Sequence, residues 1–168
     1  MEDGLEERLA RLERRVERLE GPGDAAPAAS EPLDGDVFWA LNGLKVRVAE
    51  PGAVMFTGTV DLPTGEHYEW QEGRTADELL DTDWGELAPA LAALSHPVRL
   101  LLLQEILRGA RTTSELAAHE RLGTTGQLYH HLRALVTAGW LRAGTRGRYS
   151  VPGERVVPLL AVLAAVRR

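Results

Sequence analysis

With 168 residues, 44% of them hydrophobic and none of them cysteine, the chain can bury one modest core with appendages and excludes a disulfide framework or a thiolate metal site. No apolar run approaches the ~20 residues of a membrane-spanning helix, and the acidic, arginine-rich start does not read as a secretory signal, so a cytoplasmic protein without a membrane partner is expected. The formal charge of −6 is unevenly divided: residues 23–94 hold 14 acids against 3 bases, while residues 95–151 hold 3 acids against 8 arginines, which confines any nucleic-acid surface to the second half.

Residues 1–20 carry a heptad pattern. Leu5, Leu9, Leu12, Val16 and Leu19 alternate spacings of 4 and 3, with Glu6, Glu13 and Glu20 at e and Arg8 and Arg15 at g. A parallel pair sets Arg8 against Glu13 and Arg15 against Glu20, whereas an antiparallel pair opposes like charges. The pattern therefore favours a homodimeric coiled coil over a solvated helix packed on its own domain. Residues 21–36 contain Pro22, Pro27 and Pro32 with no apolar period and read as a flexible linker.

Residues 37–81 are expected to form a small acidic, aromatic-rich unit. Val37, Leu41, Leu44 and Val48 fit a helix capped by Asp36, although Leu44, Val46 and Val48 also alternate as a strand does. Val54 to Leu62 and Glu66 to Gln71 read as two strands joined across Pro63-Thr64-Gly65. Thr75 and Glu78 can form a capping box that leads a short helix through Leu80. Six of the nine aromatic residues lie between Phe38 and Trp84. They supply either a core or an aromatic pocket for a small-molecule effector. With no polar constellation beside them, the core reading is favoured.

Residues 82–168 hold the order helix, turn, helix and β-hairpin. A helix starts near Thr82 or Asp83, and Ser95 caps the next one at His96-Pro97, with Leu100, Leu103, Ile106 and Leu107 as its buried face. Thr112 with Glu115 and Thr124 with Gln127 make capping boxes twelve residues apart, separated by a turn at residues 120–123. In the helix expected at residues 124–138, Leu128, Leu132 and Leu135 share one face and turn Tyr129, His130 and Arg133 away from it. Gly139 ends that helix. Trp140 to Ala143 and Arg148 to Val151 are strand candidates about the loop at residues 144–147, a wing over residues 140–151 with arginines at its tip. Pro152-Gly153 stops the wing, and Val156 to Val166 reads as an apolar helix too exposed for one neighbour to hide.

The run Leu94-Ser95-His96-Pro97-Val98-Arg99-Leu100, with Glu115-Leu116-Ala117, His131-Leu132-Arg133-Ala134-Leu135, Ala138-Gly139 and Arg146-Gly147-Arg148-Tyr149, resembles the ArsR-like winged helix-turn-helix transcriptional regulators over about residues 84–168. The resemblance implies a repressor that binds double-stranded DNA as a homodimer built on the first and last helices of the winged domain, to which the heptad pattern of residues 1–20 adds a further expected contact. On that basis the candidate DNA-binding residues are Thr124, Thr125, Gln127, Tyr129, His130 and Arg133 on the recognition helix, and Arg146 and Arg148 in the wing. Gln127 either closes its capping box or reads DNA. Members of that family that sense metals use cysteines before the recognition helix, or carboxylates and histidines on the last helix. Here Ser114 to Arg121 has no cysteine, and Val156 to Arg168 has neither carboxylate nor histidine. Adjacent His130 and His131 point about 100° apart on a helix and cannot share one ion. No metal or cofactor is therefore expected, and His131 is expected to be packed and hydrogen-bonded.

The expected fold is mainly α with β-hairpins, an α+β winged helix-turn-helix preceded by a helix-plus-hairpin unit and a coiled-coil helix. No Ser-His-Asp order, paired carboxylate motif or phosphate loop points to an enzyme. The alternative is a winged-helix protein-interaction module that uses the coiled coil and the acidic half.

Overall fold

The computed structural model describes residues 37–122 and 124–167; the heptad and linker segments at residues 1–36 lie outside them. The chain divides into two units, residues 1–43 and 44–168. Of the first, the described part opens helix α1, Trp39–Lys45, where the Asn42 N–H donates to the Phe38 carbonyl at 2.8 Å. This helix is shorter than the span from Val37 to Val48 suggested. Glycine at position 43 is a poor helix former, and the chain turns at residues 46–47 before it can add another turn.

The second unit begins with a β-hairpin of Ala53–Asp61 (β1) and His67–Thr75 (β2), paired antiparallel from Ala53↔Thr75 to Asp61↔His67. The second strand runs four residues past Gln71. Phe56↔Glu72 and Val54↔Arg74 pairing carries it on, and charged side chains at Glu72 and Arg74 hide that strand from a reading based on apolar alternation. Thr75 then caps α2, Ala76–Asp81, in a reciprocal capping box with Glu78 at 3.2 and 2.9 Å. Asp83 caps α3, Trp84–Leu94, through Gly85 N–H at 2.8 Å.

Helix α4 spans Pro97–Arg108, and its N-cap is His96, whose Nδ1 accepts from Val98 N–H at 3.2 Å. This corrects the assignment to Ser95, whose hydroxyl donates backward to the Ala92 carbonyl at 2.8 Å and closes α3 instead. Leu102, Leu103 and Ile106 are the buried residues of α4, while Leu100 and Leu107 are only partly covered. Four consecutive leucines at 100–103 offer no period from which to choose the inner pair. The core is completed by Leu116 of α5 (Thr113–Ala117), by Leu128, Leu132 and Leu135 of α6 (Thr125–Thr137), and by Val156 and Leu159 of α7 (Gly153–Val166).

The hairpin face of Phe56, Gly58, Val60, Tyr68 and Trp70 is the half-buried one, and α7 packs against both strands. Tyr68 of this face packs on the buried core, whereas Phe38, Trp39 and Trp84 are exposed, so the core reading of the six aromatic residues does not extend to those three; none of the six lines the apolar groove described below. A second link is ionic. Arg111, ahead of α5, donates to the Glu66 carboxylate in the hairpin turn, and Thr64 Oγ1 donates to the same oxygen at 2.5 Å. The Arg111 hydrogen bond, then the Thr64 one, hold the Glu66 carboxyl below its ordinary value of 4.5. A depressed carboxylate stabilises the fold above that ordinary value and loses its contribution as pH falls through the lowered one. We expect Glu66→Gln to shrink the difference in melting temperature between about pH 6 and about pH 3.5. The effect is small, because 38% of the Glu66 side chain is exposed and solvent screens the pair.

Among the described residues no single helix is long and apolar enough to cross a membrane. The elements form a mixed α+β fold in which helices α5 and α6 are followed by a short hairpin, an arrangement compatible with a winged helix.

Candidate nucleic-acid interface

Two capped helices and a hairpin build this surface. Thr112 caps α5: its hydroxyl accepts from Glu115 N–H at 3.3 Å, and Glu115 Oε2 accepts from the Thr112 and Arg111 N–H groups at 2.8 and 2.9 Å. These contacts, the Thr112 N–H first and its hydroxyl next, pull the Glu115 carboxyl below its ordinary value. The Glu115 charge is thus already committed to backbone donors, and a second carboxylate, Glu154, pairs with Arg142 of the wing at 2.5 Å. A 3-10 turn at Glu120–Leu122 follows, with Leu122 buried, and α6 starts after Thr124. Gln127 Oε1 accepts from Thr124 N–H at 3.1 Å and from its hydroxyl at 3.2 Å. The carbonyl end of Gln127 is therefore engaged in the cap, and only its amide nitrogen lies outside this contact.

Burial of Leu128, Leu132 and Leu135 fixes the rotation of α6. It leaves Thr124, Thr125, Gln127, Tyr129, His130 and Arg133 exposed, Tyr129 by 52%. At the helix end Gly139 adopts φ 74°, and Trp140 N–H donates to the Leu135 carbonyl at 2.9 Å.

The wing is shorter than residues 140–151. Its strands are Arg142–Ala143 (β3) and Tyr149–Ser150 (β4), because Trp140 and Leu141 turn inward to the core and Trp140 Nε1 donates to the Ala90 carbonyl at 2.9 Å. The tip, Thr145–Gly147, is a 3-10 turn with Arg146 at φ 58°. Arg146 and Arg148 are both exposed. The wing is tied to the helix-turn-helix by an antiparallel bridge between Thr112 and Arg148 and by Tyr149 N–H donating to the Arg111 carbonyl at 2.7 Å. Gly147 is required there: its φ is +67°, and a Cβ would meet Thr113 Oγ1 at 2.8 Å.

His130 and Arg133 share a groove of about 490 Å3 with Arg99 of α4 and Pro89 of α3. Arg99 was not among the candidates from sequence. Its place two residues after the helix-starting Pro97, within the basic stretch, is the signal that marks it. Arg99 Nη2 donates to the Ala92 carbonyl at 2.7 Å, and its Nε is buried without a partner among the described residues. Beside it the His131 ring lies 4.5 Å from that of His96 and 5.7 Å from that of His130. His131 is packed as expected, but it is not hydrogen-bonded at Nδ1, which is buried without a partner among the described residues. Burial, then His96, Arg99 and His130, push its pKa below the ordinary 6.5. Among the described residues no three His, Cys, Asp or Glu side chains are grouped to hold a metal ion.

A partly cationic surface around an exposed, capped helix and an arginine-tipped hairpin is the kind of site that DNA-binding proteins of the winged-helix class present. Among known proteins, the chain is similar to a probable mercury resistance operon repressor of Streptomyces lividans, 42% identical over 71 residues that make up 40% of this chain and 56% of that protein. The chain thus matches little more than half the length of that relative. No family model matches the chain, and no solved structure matches it.

Proposed function

We propose that the chain is a homodimeric, sequence-specific DNA-binding transcriptional regulator of the ArsR-like type, acting as a repressor in the cytoplasm. The observation that carries this reading is α6, which with its cap Thr124 turns six candidate residues outward over a leucine underside while Arg146 and Arg148 stand at and beside the wing tip beyond it. In this reading residues 82–168 bind DNA and dimerise, with the N-terminal heptads as an accessory to the dimer. α6 enters the major groove, Tyr129 and His130 meet base edges, and Thr124, Thr125, Gln127 and Arg133 contact base edges or phosphates. Arg146 and Arg148 hold the backbone. Similarity to a repressor supports the sign of regulation. The name of that relative speaks of mercury resistance, yet these 168 residues offer no thiolate to a soft ion.

Selection from random duplexes is the direct test. A two-fold symmetric site bound with salt-dependent affinity is the expected result, and failure to enrich any sequence refutes the reading. Tyr129→Ala and His130→Ala should each relax preference at one base position by about 1 kcal/mol, the low end for base contacts because neither residue makes a bidentate pair. Non-specific binding should be almost unchanged. If Tyr129→Ala lowers the melting temperature and leaves the selected site intact, Tyr129 is a packing residue.

The dimer is proposed to use α3 and α7. Trp84, Leu87 and Leu91 lie at spacings of 3 and 4 on α3 and are 65%, 48% and 55% exposed, and Val166 of α7 is 73% exposed. Such an apolar stripe fits a self-complementary interface. Leu87→Glu with Leu91→Glu should convert the full chain to monomer in light scattering at micromolar concentration. A persistent dimer would assign the interface to the N-terminal heptads.

A further inference from the structure

We infer that the groove between α4, α7 and the β1–β2 turn binds a small amphipathic anion, an aliphatic monocarboxylate, and that its occupancy acts on the turn ahead of the recognition helix. The groove holds about 580 Å3, a size that suits a small molecule. Its apolar wall is built from Leu62 and Pro63 of the hairpin turn, Leu100 and Leu107 of α4, and Leu160 and Leu163 of α7. Leu100, Leu107 and Leu160 pack on the core yet stay only partly buried, so an aliphatic body placed there removes apolar surface from water.

Charge selects the head group. The polar residues in the wall are Gln104, Arg108 and Arg121, and among the described residues no carboxylate lines the groove. In a chain of net charge −6 this is a local reversal of sign. Arg108 gives Nη1 to Glu105 at a long 3.4 Å, which leaves the other donors of its fork outside that contact. A leucine wall with two guanidiniums and an amide on it complements a carboxylate on an alkyl chain. It opposes an alkyl ammonium and offers less to a neutral alcohol.

The walls come from four parts of the chain with different duties. Arg121 belongs to the 3-10 turn whose next residue, Leu122, is buried and which leads to Thr124, the cap of α6. A carboxylate held by Arg121 therefore bears on the segment that sets the start of α6, while its tail spans the hairpin turn and α7. Binding in the groove is independent of the proposed function; its effect on operator affinity rests on that reading.

The test is calorimetry of the full chain with decanoate, 1-decanol and decylammonium below their aggregation limits. One decanoate should bind per chain, about tenfold more tightly than decanol, with decylammonium weakest. Gln104→Glu and Arg121→Gln should each cost decanoate about tenfold and leave decanol unchanged, with melting temperatures showing that both variants fold. Equal binding of decanoate and decanol, decylammonium as tight as decanoate, or no decanoate binding would each overturn the site. Should decanoate fail to bind while Leu160→Glu turns a dimer into monomer, the groove belongs to a second copy. Decanoate should also change affinity for the selected duplex. Binding without that change overturns the coupling alone, and decanoate binding by a chain that ignores all DNA overturns the proposed function alone.

Discussion

Gly58→Val should lower the stability of the second unit by about 2 kcal/mol, which corresponds to a drop of about 8 °C in melting temperature for a unit of this size. A Cβ at position 58 would lie 2.7 Å from Val157 Cγ1, well inside contact distance. Val157 cannot swing aside: it is β-branched, it sits in α7, and only 3% of it is exposed. Either α7 or the hairpin must move, and the facing contact between Gly153 and Tyr68, where a Cβ would stand 3.0 Å from Cε1, leaves little room for a slide. Val157→Ala in the same chain should restore part of the loss, giving a coupling of about 1 kcal/mol in a double-mutant cycle. Additive losses in thermal denaturation would show that the two elements do not interlock at this point.

Arg146→Gly combined with Arg148→Ala should weaken DNA binding about 30-fold at ~0.15 M salt and make the dependence of log K on log salt shallower by about 1.8, the loss of two phosphate contacts. Stability should not fall with it. Arg146 sits at φ 58°, a left-handed conformation that costs a non-glycine residue roughly 1 kcal/mol, and glycine relieves that strain. Arg148 is held in the wing by its backbone bridge to Thr112, which alanine keeps. The double substitution therefore separates charge from fold. Titrations at several salt concentrations check it: an unchanged slope with lost preference at one base pair would make one of these arginines a reader of sequence.

The aromatic residues illustrate how far the sequence could be read. Their concentration between Phe38 and Trp84 was consistent with either packing or a pocket, and only the tertiary structure shows that Tyr68 packs on the core while Phe38, Trp39 and Trp84 stay exposed. The groove that does form is lined by leucines and arginines drawn from the hairpin turn, α4, the turn before α6, and α7. No spacing rule links residues so far apart. Arg99 was hidden for the same reason, since its groove partners lie on α3 and α6.

What the chain determined by itself is the set of features closed within about one helical turn or one strand pair. Thr75 with Glu78, Thr112 with Glu115 and Thr124 with Gln127 mark helix starts because donor and acceptor stand three residues apart. Leu128, Leu132 and Leu135 turn α6 because helical spacing puts them on one side. Tertiary structure decided the rest. The wing lost Trp140 and Leu141 to the core, where the Trp140 indole found the Ala90 carbonyl 50 residues away, and His96 took the cap expected of Ser95. The hairpin turn was joined to the start of α5 by Arg111 and Glu66, 45 residues apart. Pattern and capping are local free energies written in neighbouring residues, whereas burial and ion pairing depend on which distant surfaces meet, and that is fixed only when the core closes.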